Sequence, residues 1–308
     1  MGSASDSSTN ILVTGATGFL GSHLVPKLLD KGYPVTILKR SFSDTSRMEA
    51  VMARIKYYDI DKAGLEEVFE KNKTDVIIHL ATDYGKKGAS SAAEVIKSNI
   101  NFPAELLELG IRYGCKVFIN AHTSTNSEYT LYSASKNAFV EIARFFSANH
   151  QIRFVNMVIE YMYGEGDDNT KFIPFAIENI LNNKILRATG GKQRRDLIYV
   201  GDVVNAYLNL LDKLGAIKED FTEFNIGTGK ATSLKECLNI VEKITGQDAR
   251  AEWGALPYRR KEIFYSLADI SRAQDFLNWN PEISLEEGLS RTINWRKKAV
   301  CQCGESGR

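Results

Sequence analysis

The sequence predicts an α/β fold, a doubly wound parallel sheet followed by a smaller α/β region. Three observations predict it. An apolar run, Ile11 to Val13, enters a turn carrying Gly15, Gly18 and Gly21 and leaves it as an amphipathic stretch, Ser22 to Lys31. Short apolar runs then alternate with stretches of helical period through the first half of the chain, the pattern of parallel strands joined by crossover helices. With 308 residues, 44% of them hydrophobic, the chain can bury the core of one large or two moderate domains.

The first strand, turn and helix carry the most specific chemistry. Glycines spaced G-x-x-G-x-x-G, without Cβ atoms, let the backbone turn sharply and approach a pyrophosphate closely. The helix that follows offers unpaired N–H groups and the positive end of its dipole to that anion. The turn therefore predicts a dinucleotide site on a Rossmann-type sheet. A glycine-rich strand–helix turn with no ligand is the plain alternative.

Composition excludes several classes. Formal net charge is +1, so nothing calls for nucleic acid or an anionic membrane surface. No apolar run approaches the roughly 20 residues that span a bilayer. Met1 to Asn10 is small, polar and Ser-rich, and is expected to be a disordered leader. Of four cysteines, Cys115 and Cys237 lie in apolar contexts and are expected as buried thiols. Cys301 and Cys303 sit in a polar tail, 299–308, and complete no metal pattern, so no metal is expected. A cytoplasmic location is the expectation from this cysteine usage.

Pro34 to Lys39 reads as the second strand and ends at Lys39-Arg40-Ser41. In a dinucleotide fold this end faces the adenosine ribose. An acidic residue here accepts from a free 2′-hydroxyl and repels a 2′-phosphate. Cations stand here instead, and Arg40, with Lys39 and Ser41 beside it, suits the 2′-phosphate of NADP. A solvated basic strand end is the alternative. Arg54 to Tyr58 is a third strand ending at Asp59-Ile60, where a carboxylate can accept from an adenine amino group. Lys62 to Asn72 is a helix, and Asp75 to Leu80 a fourth strand running into Ala81-Thr82, small residues that admit a cofactor. His79 alternates with apolar neighbours and reads as a packed side chain. Residues 83–90 form a Gly/Lys-rich loop, Ala92 to Tyr113 a helix, and Lys116 to Asn120 a fifth strand leading to His122-Thr123-Ser124-Thr125.

Tyr132-Ser-Ala-Ser-Lys136 opens a helix through Ala148. Residues four apart share a helical face. An unperturbed phenol has a pKa near 10. A neighbouring ammonium favours the phenolate and turns the tyrosine into a usable proton donor and acceptor. A hydroxyl at Thr123 can polarise the same carbonyl. Alone, Y-x-x-x-K is common on surfaces. Behind a dinucleotide turn and a hydroxyl-rich strand end it reads as catalytic.

Ile152 to Ile159 is a sixth strand, after which the alternation loosens. Tyr163 to Asp168 is a turn-rich loop and Lys171 to Asn182 a helix containing Phe-Ile-Pro. Arg194 to Asp202 mixes charge with a strand, and a helix starts at Asp202. Thr222 to Gly229 is a strand and turn, and a helix capped by Ser233 follows. Residues 250–265 are extended, Asp269 to Trp279 helical, and Pro281 precedes a final helix from Ser284 to Lys297. The expected organisation is a dinucleotide-binding domain over 11–160, with later segments returning to it, and a mainly substrate-binding region over 161–298.

Together these residues resemble the extended short-chain dehydrogenase/reductase family that acts on nucleotide-linked sugars. The likeness spans about residues 10–298 and rests on the glycine turn, the Tyr132/Lys136 pair and Arg195-Asp196-x-Ile-Tyr-Val-x-Asp202. Ile78 to Gly85, Phe154 to Met157, Lys171 to Pro174, Asp202 to Leu208, and Gly254-Ala255 with Arg259 and Glu262 narrow it. They are similar to the branch that reduces the 4-keto group of CDP-3,6-dideoxyhexoses with NADPH for O-antigen sugars. The resemblance implies roles. Gly15, Gly18 and Gly21 meet the pyrophosphate, Arg40 the 2′-phosphate and Asp59 the adenine, with Thr17, Phe19, Leu20 and Ile60 also against the cofactor. Leu80, Ala81, Thr82 and Asn99 complete the cofactor set. Lys136 binds the nicotinamide ribose and lowers the pKa of Tyr132, the proton donor, while Thr123 holds the substrate oxygen. Tyr84, Ser124, Lys171, Phe172, Arg195 and Arg259 are the substrate set, the two arginines matching a diphosphate bidentately. Thr123 stands only nine residues before Tyr132, so Thr123 and Ser124 both stay open as the working hydroxyl. A homodimer through residues 92–113 and 132–148 is also implied.

Three reactions fit such a fold. A 4,6-dehydratase of this family places an Asp-Glu pair after the hydroxyl residue, where Ser124-Thr125 stand here. A 4-epimerase recycles NAD and carries an acidic residue after the second strand, where Lys39-Arg40 stand. A reductase needs only hydride, Tyr132 and an exchangeable NADP(H), and is the expected activity. A catalytically silent NADP-binding regulator is the alternative of another class.

Overall fold

The computed structural model describes residues 9–85 and 90–305, and side chains as far as 298. Most of the expected leader, loop positions 86–89, and the side chains of Cys301 and Cys303 lie outside the described residues. Cys115 and Cys237 are buried free thiols, both pushed up to about 12 by burial and so unreactive near neutral pH.

Ile11–Thr14 (β1) is buried at every position, as a strand covered on both faces must be. Phe19–Asp30 (α1) crosses to Val35–Lys39 (β2), and Lys56–Asp59 (β3) follows a 3₁₀ segment, Ser46–Arg54. Leu65–Lys71 (α2) leads to Val76–His79 (β4), again wholly buried. The expected helix from residue 92 is three pieces: Ala92–Ile96 (α3), a π-helical turn Lys97–Asn101, and Phe102–Arg112 (α4). Val117–Thr123 (β5) runs three residues beyond its expected end because it pairs along its whole length with Arg153–Ile159 (β6). Between them lies Leu131–Asn149 (α5), started by a reciprocal cap. Ser133 N donates to Thr130 Oγ1 at 3.0 Å, and Thr130 N donates to Ser133 Oγ at 3.1 Å.

The chain continues through Tyr161–Tyr163 (β7), Phe172–Leu181 (α6), Leu186–Ala188 (β8), Arg194–Tyr199 (β9), Val200–Lys213 (α7) and Phe221–Ile226 (β10). Ala231–Ser233 (β11), Leu234–Thr245 (α8), Ala251–Trp253 (β12), Ser271–Leu277 (α9) and Leu285–Glu305 (α10) complete it. The last helix passes its expected stop at Lys297 and takes in part of the expected polar tail, since no proline follows Pro281. The 3₁₀ segment and the short strands β7, β8 and β11 have too few residues for a legible period.

Two compact units result. One runs to Ile159 and takes back Ala206–Asn225; the other comprises Glu160–Asn205 and the chain from Ile226. The first holds the seven-stranded sheet, in the order β3-β2-β1-β4-β5-β6-β10. β1 pairs in parallel with both β2 and β4, so successive connections leave it in opposite directions. That reversal opens a crevice at the carboxyl ends of β1 and β4, where open α/β sheets take ligands. The core beneath α5 is aromatic. Phe118, Phe154 and Phe221 stand on neighbouring strands, with ring centroids 5.4 and 5.6 Å apart and planes within 13° of parallel. Phe139 of α5 packs edge-on or tilted against the first two. Each such ring stabilises by about 1.5–3 kcal/mol on burial.

The second unit has a three-stranded sheet, β11-β9-β7, and the pair β12-β8. Its charged stretch, Arg194 to Asp202, is a fastening. Asp196, fully buried, accepts from Thr228 N and Oγ1 at 2.7 and 2.6 Å and from Gly229 N at 3.0 Å. Asp202 accepts from Glu282 N and Ile283 N, both at 3.1 Å, and Trp279 Nε1 donates to its carbonyl at 3.0 Å.

Candidate active site

The glycine turn is tight and closely covered. Gly15 has φ +69°, and a Cβ there would lie 2.5 Å from Ala81 N. Gly18 N donates to Gly15 O at 3.0 Å. A Cβ on Gly21 would collide with the Gly15 carbonyl, so that glycine lets α1 press onto the turn. Gly18 is the N-cap of α1, no side chain caps it, and no acidic residue stands in the first turn. The helix start is therefore open to an anion, and the turn fits a pyrophosphate. Thr17 and Phe19 are half-buried; Leu20 is buried, so only its backbone can meet a ligand.

At the ends of β2 and β3 the candidates separate. Lys39 pairs with the Asp59 carboxylate and lies 4.8 Å over the Tyr57 ring. Asp59, expected to face an adenine amino group, pairs with Lys39 through one carboxylate oxygen. Ser41 donates through N and Oγ to Asp61 at 2.7 and 2.6 Å. Arg40 is exposed with its guanidinium 4.8 Å over the Phe42 ring, so it is the cation of the three with its head group at the surface. Ile60 is half-buried and donates N–H to Lys39 O at 2.9 Å.

β4 ends in a hydrogen-bonded shelf. Thr14 Oγ1 joins His79 Nδ1 at 2.8 Å and accepts from Ala81 N at 3.3 Å, while Leu80 N donates to Thr14 O at 3.1 Å. His79 is the packed histidine expected: it is fully buried, and burial with the Lys136 charge holds it well below the usual imidazole range. Asn99 Oδ1 accepts from Thr82 Oγ1 at 3.1 Å and Asp83 N at 2.8 Å; its Nδ2 donates to Asp83 O at 2.8 Å and Ser135 Oγ at 2.9 Å. With both amide ends hydrogen-bonded and the residue 99% buried, Asn99 clamps protein to protein. The π-helical turn is what aims it inward.

The clamp leads to the reactive pair. Ser135 Oγ, which Asn99 holds, donates to Tyr132 O at 2.9 Å. The Tyr132 phenol faces the Thr123 side chain, at the end of β5, and its ring lies 4.8 Å from that of half-exposed Tyr84. Thr123 Oγ1 also accepts from Thr125 N at 3.2 Å. Thr123 is the hydroxyl that bears on the phenol, and Ser124 N donates to Ile159 O at 3.4 Å. Burial and neighbouring Tyr84 push the phenol above its ordinary range, against the opposing effect of Thr123. Lys136 is fully buried, held down to about 7 by loss of solvation, and donates through Nζ to Asn120 Oδ1 at 3.4 Å. Its charge bears on His79 and on His122, which falls to about 4. The expected lowering of Tyr132 by Lys136 is not a feature of this structure, in which the ammonium is directed to Asn120. What the arrangement offers is a neutral phenol beside a second hydroxyl at the carboxyl end of β5. Such a phenol can give up a proton to a carbonyl oxygen that gains charge.

The second unit carries the other candidates. Lys171 Nζ pairs with Asp167 Oδ1 at 2.8 Å, and Phe172, half-buried, starts α6. Arg195 is buried; its Nη2 donates to Glu262 Oε1 at 3.2 Å and its guanidinium lies 4.8 Å over the Tyr161 ring. Arg259 is exposed. Sequence reasoning missed Glu262 as the partner of Arg195, and also His122, Asn120 and Asn156 around Lys136. A signal existed for the asparagines: Phe118-x-Asn120 and Phe154-x-Asn156 each place a polar residue on the buried face two positions after an aromatic.

Among the described residues no helix is long and apolar enough to cross a membrane, and no His/Cys/Asp/Glu group could hold a metal ion. Comparison with known proteins agrees with the fold. The chain is 33% identical to CDP-abequose synthase of Salmonella muenchen, over 95% of this chain and 99% of that protein. It is 29% identical to UDP-glucuronate 4-epimerase of Thermodesulfobacterium geofontis, over 94% and 96%. The UDP-glucose 4-epimerase of Thermotoga maritima, solved with UDP-glucose, superposes with a TM-score of 0.84 at 28% identity, over 95% and 100%. The UDP-glucuronic acid 4-epimerase of Bacillus cereus, solved with UDP-glucuronic acid and NAD, gives 0.83 at 25% identity, over 94% and 100%. Residues 11–227 match the NAD dependent epimerase/dehydratase family, from the first strand of the glycine turn to the end of the sheet, and the chain belongs to that family.

Proposed function

We propose that the protein is an NADPH-dependent reductase of the 4-keto group of a nucleotide-linked deoxysugar. The substrate is a CDP-4-keto-3,6-dideoxyhexose, and the product is CDP-abequose or its C4 stereoisomer. The observation that carries this reading is the hydroxyl-only strand end. Thr123 faces the Tyr132 phenol, and Ser124-Thr125 follow where an elimination would need a carboxylic acid and a carboxylate. Identity of 33% to CDP-abequose synthase along nearly the whole chain supports the same substrate class.

The glycine turn would hold a nicotinamide dinucleotide, which when bound would supply the hydride for C4. The remaining work falls to side chains. Thr123 and Tyr132 hold the carbonyl oxygen, and Tyr132 passes its phenolic proton to that oxygen as negative charge develops. A phenol held above its ordinary range is protonated at neutral pH, as a donor must be. Lys136, turned from Asn120 toward the ribose and the phenol, would steady the phenolate that remains. Exposed Arg40 supports the 2′-phosphate preference. Arg195 and Arg259 are proposed for the diphosphate, with Lys171, Phe172 and Tyr84 about the sugar. Exposed Ile96, Leu131 and Phe145 on α3 and α5 support a homodimer.

A 4-epimerase is the second reading. It is favoured by the Lys39–Asp59 pair, which removes one cation from the ribose end, and by solved relatives that bind NAD. Mixing the protein with NADPH and CDP-4-keto-3,6-dideoxyglucose separates the two. Stoichiometric loss of reduced cofactor with formation of a 4-hydroxy sugar supports the reductase. A flat cofactor absorbance with the keto sugar intact rejects it.

A further inference from the structure

A row of polar side chains crosses the sheet directly behind Lys136. Asn120 and Asn156 are in-register partners on β5 and β6, and both are fully buried. Lys136 Nζ donates to Asn120 Oδ1 at 3.4 Å, Asn120 Nδ2 to Asn156 Oδ1 at 2.8 Å, and Asn156 Nδ2 to Glu223 Oε2 at 2.8 Å. Glu223 stands on β10, the edge strand, and is half-buried. The row sits two residues beyond the stacked rings of Phe118, Phe154 and Phe221, on the same face of the same three strands. The rings fill the space under α5 and fix the register that lines up the amides.

All the dipoles point one way. Each amide oxygen faces the ammonium side and each amide N–H faces the carboxylate. Buried amides in series polarise one another, so an anion at one end strengthens the acceptor at the other. Two asparagines inside a sheet core would each cost free energy if left unpaired; here both are paired within the row. We propose that Glu223 is a positioning residue for Lys136: through Asn156 and Asn120 its carboxylate holds the lysine protonated and drawn back against the sheet. Lys136 is then a cation in reserve, released from Asn120 when a ribose and a phenolate compete for it. The inference rests on the reductase reading for its role in turnover, but its effect on Lys136 does not depend on that reading.

The ammonium bears on His79 of β4 and His122 of β5, and Tyr132 stands four residues before it on the same helix; Arg144 of α5 lies 3.6 Å over the Phe221 ring at the Glu223 end. Neutral His79 and His122 contribute no counter-charge, and a neutral phenol contributes none. Glu223 is the carboxylate that the row connects to Lys136.

The test is a titration of Lys136 in the ligand-free protein, read by NMR of ¹³Cε/¹⁵Nζ-labelled lysine and assigned by the signal that Lys136→Arg removes. Glu223→Gln preserves shape and hydrogen bonding but removes the charge. Its expected effect is a Lys136 midpoint about one pH unit lower, the size of a unit charge acting over two strand spacings at the effective dielectric of a protein. Glu223→Asp is expected to restore most of the shift. Asn156→Ser, which cuts the row while leaving Glu223 in place, is expected to reproduce the Glu223→Gln value. In turnover with NADPH and the CDP-keto sugar, the alkaline limb of the kcat profile should move down by the same amount. A Lys136 midpoint unchanged in both Glu223→Gln and Asn156→Ser overturns the proposal. A shifted midpoint with no reduction of the keto sugar by the unaltered protein upholds the row and rejects the reductase reading instead.

Discussion

Asn99 Nδ2 donates to Ser135 Oγ at 2.9 Å and thereby ties the loop after β4 to the helix that carries Tyr132. The bond links the two walls of the crevice, because the same amide also holds both the N–H and the C=O of Asp83. Replacing Asn99 by Ala leaves a buried hydroxyl and backbone groups without these partners, each costing about 1–3 kcal/mol. We predict a melting temperature lower by several degrees and a weaker grip on the dinucleotide, both measurable by thermal unfolding with and without NADPH. A variant with unchanged melting and unchanged affinity would show that the clamp is idle.

Tyr132 and Thr123 have separable roles. Tyr132→Phe removes the proton donor and keeps the ring against Tyr84, so turnover should fall by about 10²–10⁴ while cofactor affinity holds. Thr123→Val removes the hydroxyl that bears on the phenol and the substrate oxygen, and should cost roughly 10-fold. Fluorescence titration with NADPH beside steady-state rates distinguishes these effects. A Phe variant that turns over normally would remove Tyr132 from the chemistry.

Arg40→Asp tests the cofactor preference. With Lys39 paired to Asp59 and Ser41 bonded to Asp61, Arg40 is the cation on which the proposed 2′-phosphate preference depends. A charge-assisted contact of about 1.5–3 kcal/mol predicts a ratio of NADPH to NADH efficiency lower by roughly 10- to 100-fold. An unchanged ratio would place the phosphate elsewhere.

His122 makes stability depend on pH. Its folded pKa lies near 4, below the ordinary 6.5, because burial and the Lys136 charge disfavour the imidazolium. Between those values the unfolded chain holds a proton that the folded chain refuses, so stability rises with pH across the window and is lost as pH falls through it. The difference amounts to about 3 kcal/mol. Urea unfolding midpoints should drop from pH 7 to pH 4.5, and His122→Asn should flatten the part of that slope due to this residue. An equally steep slope in the variant would assign the acid sensitivity to other groups, with His79 the next to test.

Much of this was legible in the chain before any coordinates. Ile11–Thr14 and Val76–His79 are unbroken apolar runs because both faces of a central parallel strand are covered, and such runs announce themselves. The Gly15 turn was legible because only glycine tolerates φ +69° with a backbone passing so close. Asn99 was not: its role depends on a π-helical turn, a single-residue insertion in hydrogen-bond register with no marker in local pattern. The Lys136 environment was hidden for another reason. Asn120, Asn156 and Glu223 lie on three strands far apart in sequence, and only sheet order and register bring them into one row. Likewise the role of Asp196, which fastens the backbone of Thr228 and Gly229, depends on a contact more than thirty residues along the chain.

The central claim is net reduction at C4, and the product of a single reaction tests it most directly. The protein is incubated with 4-deuterated NADPH and CDP-4-keto-3,6-dideoxyglucose, and the sugar is examined by NMR. The account predicts one deuterium at C4 of a CDP-3,6-dideoxyhexose and an equal amount of oxidised cofactor. A recovered keto sugar without deuterium, with the cofactor still reduced, would contradict it.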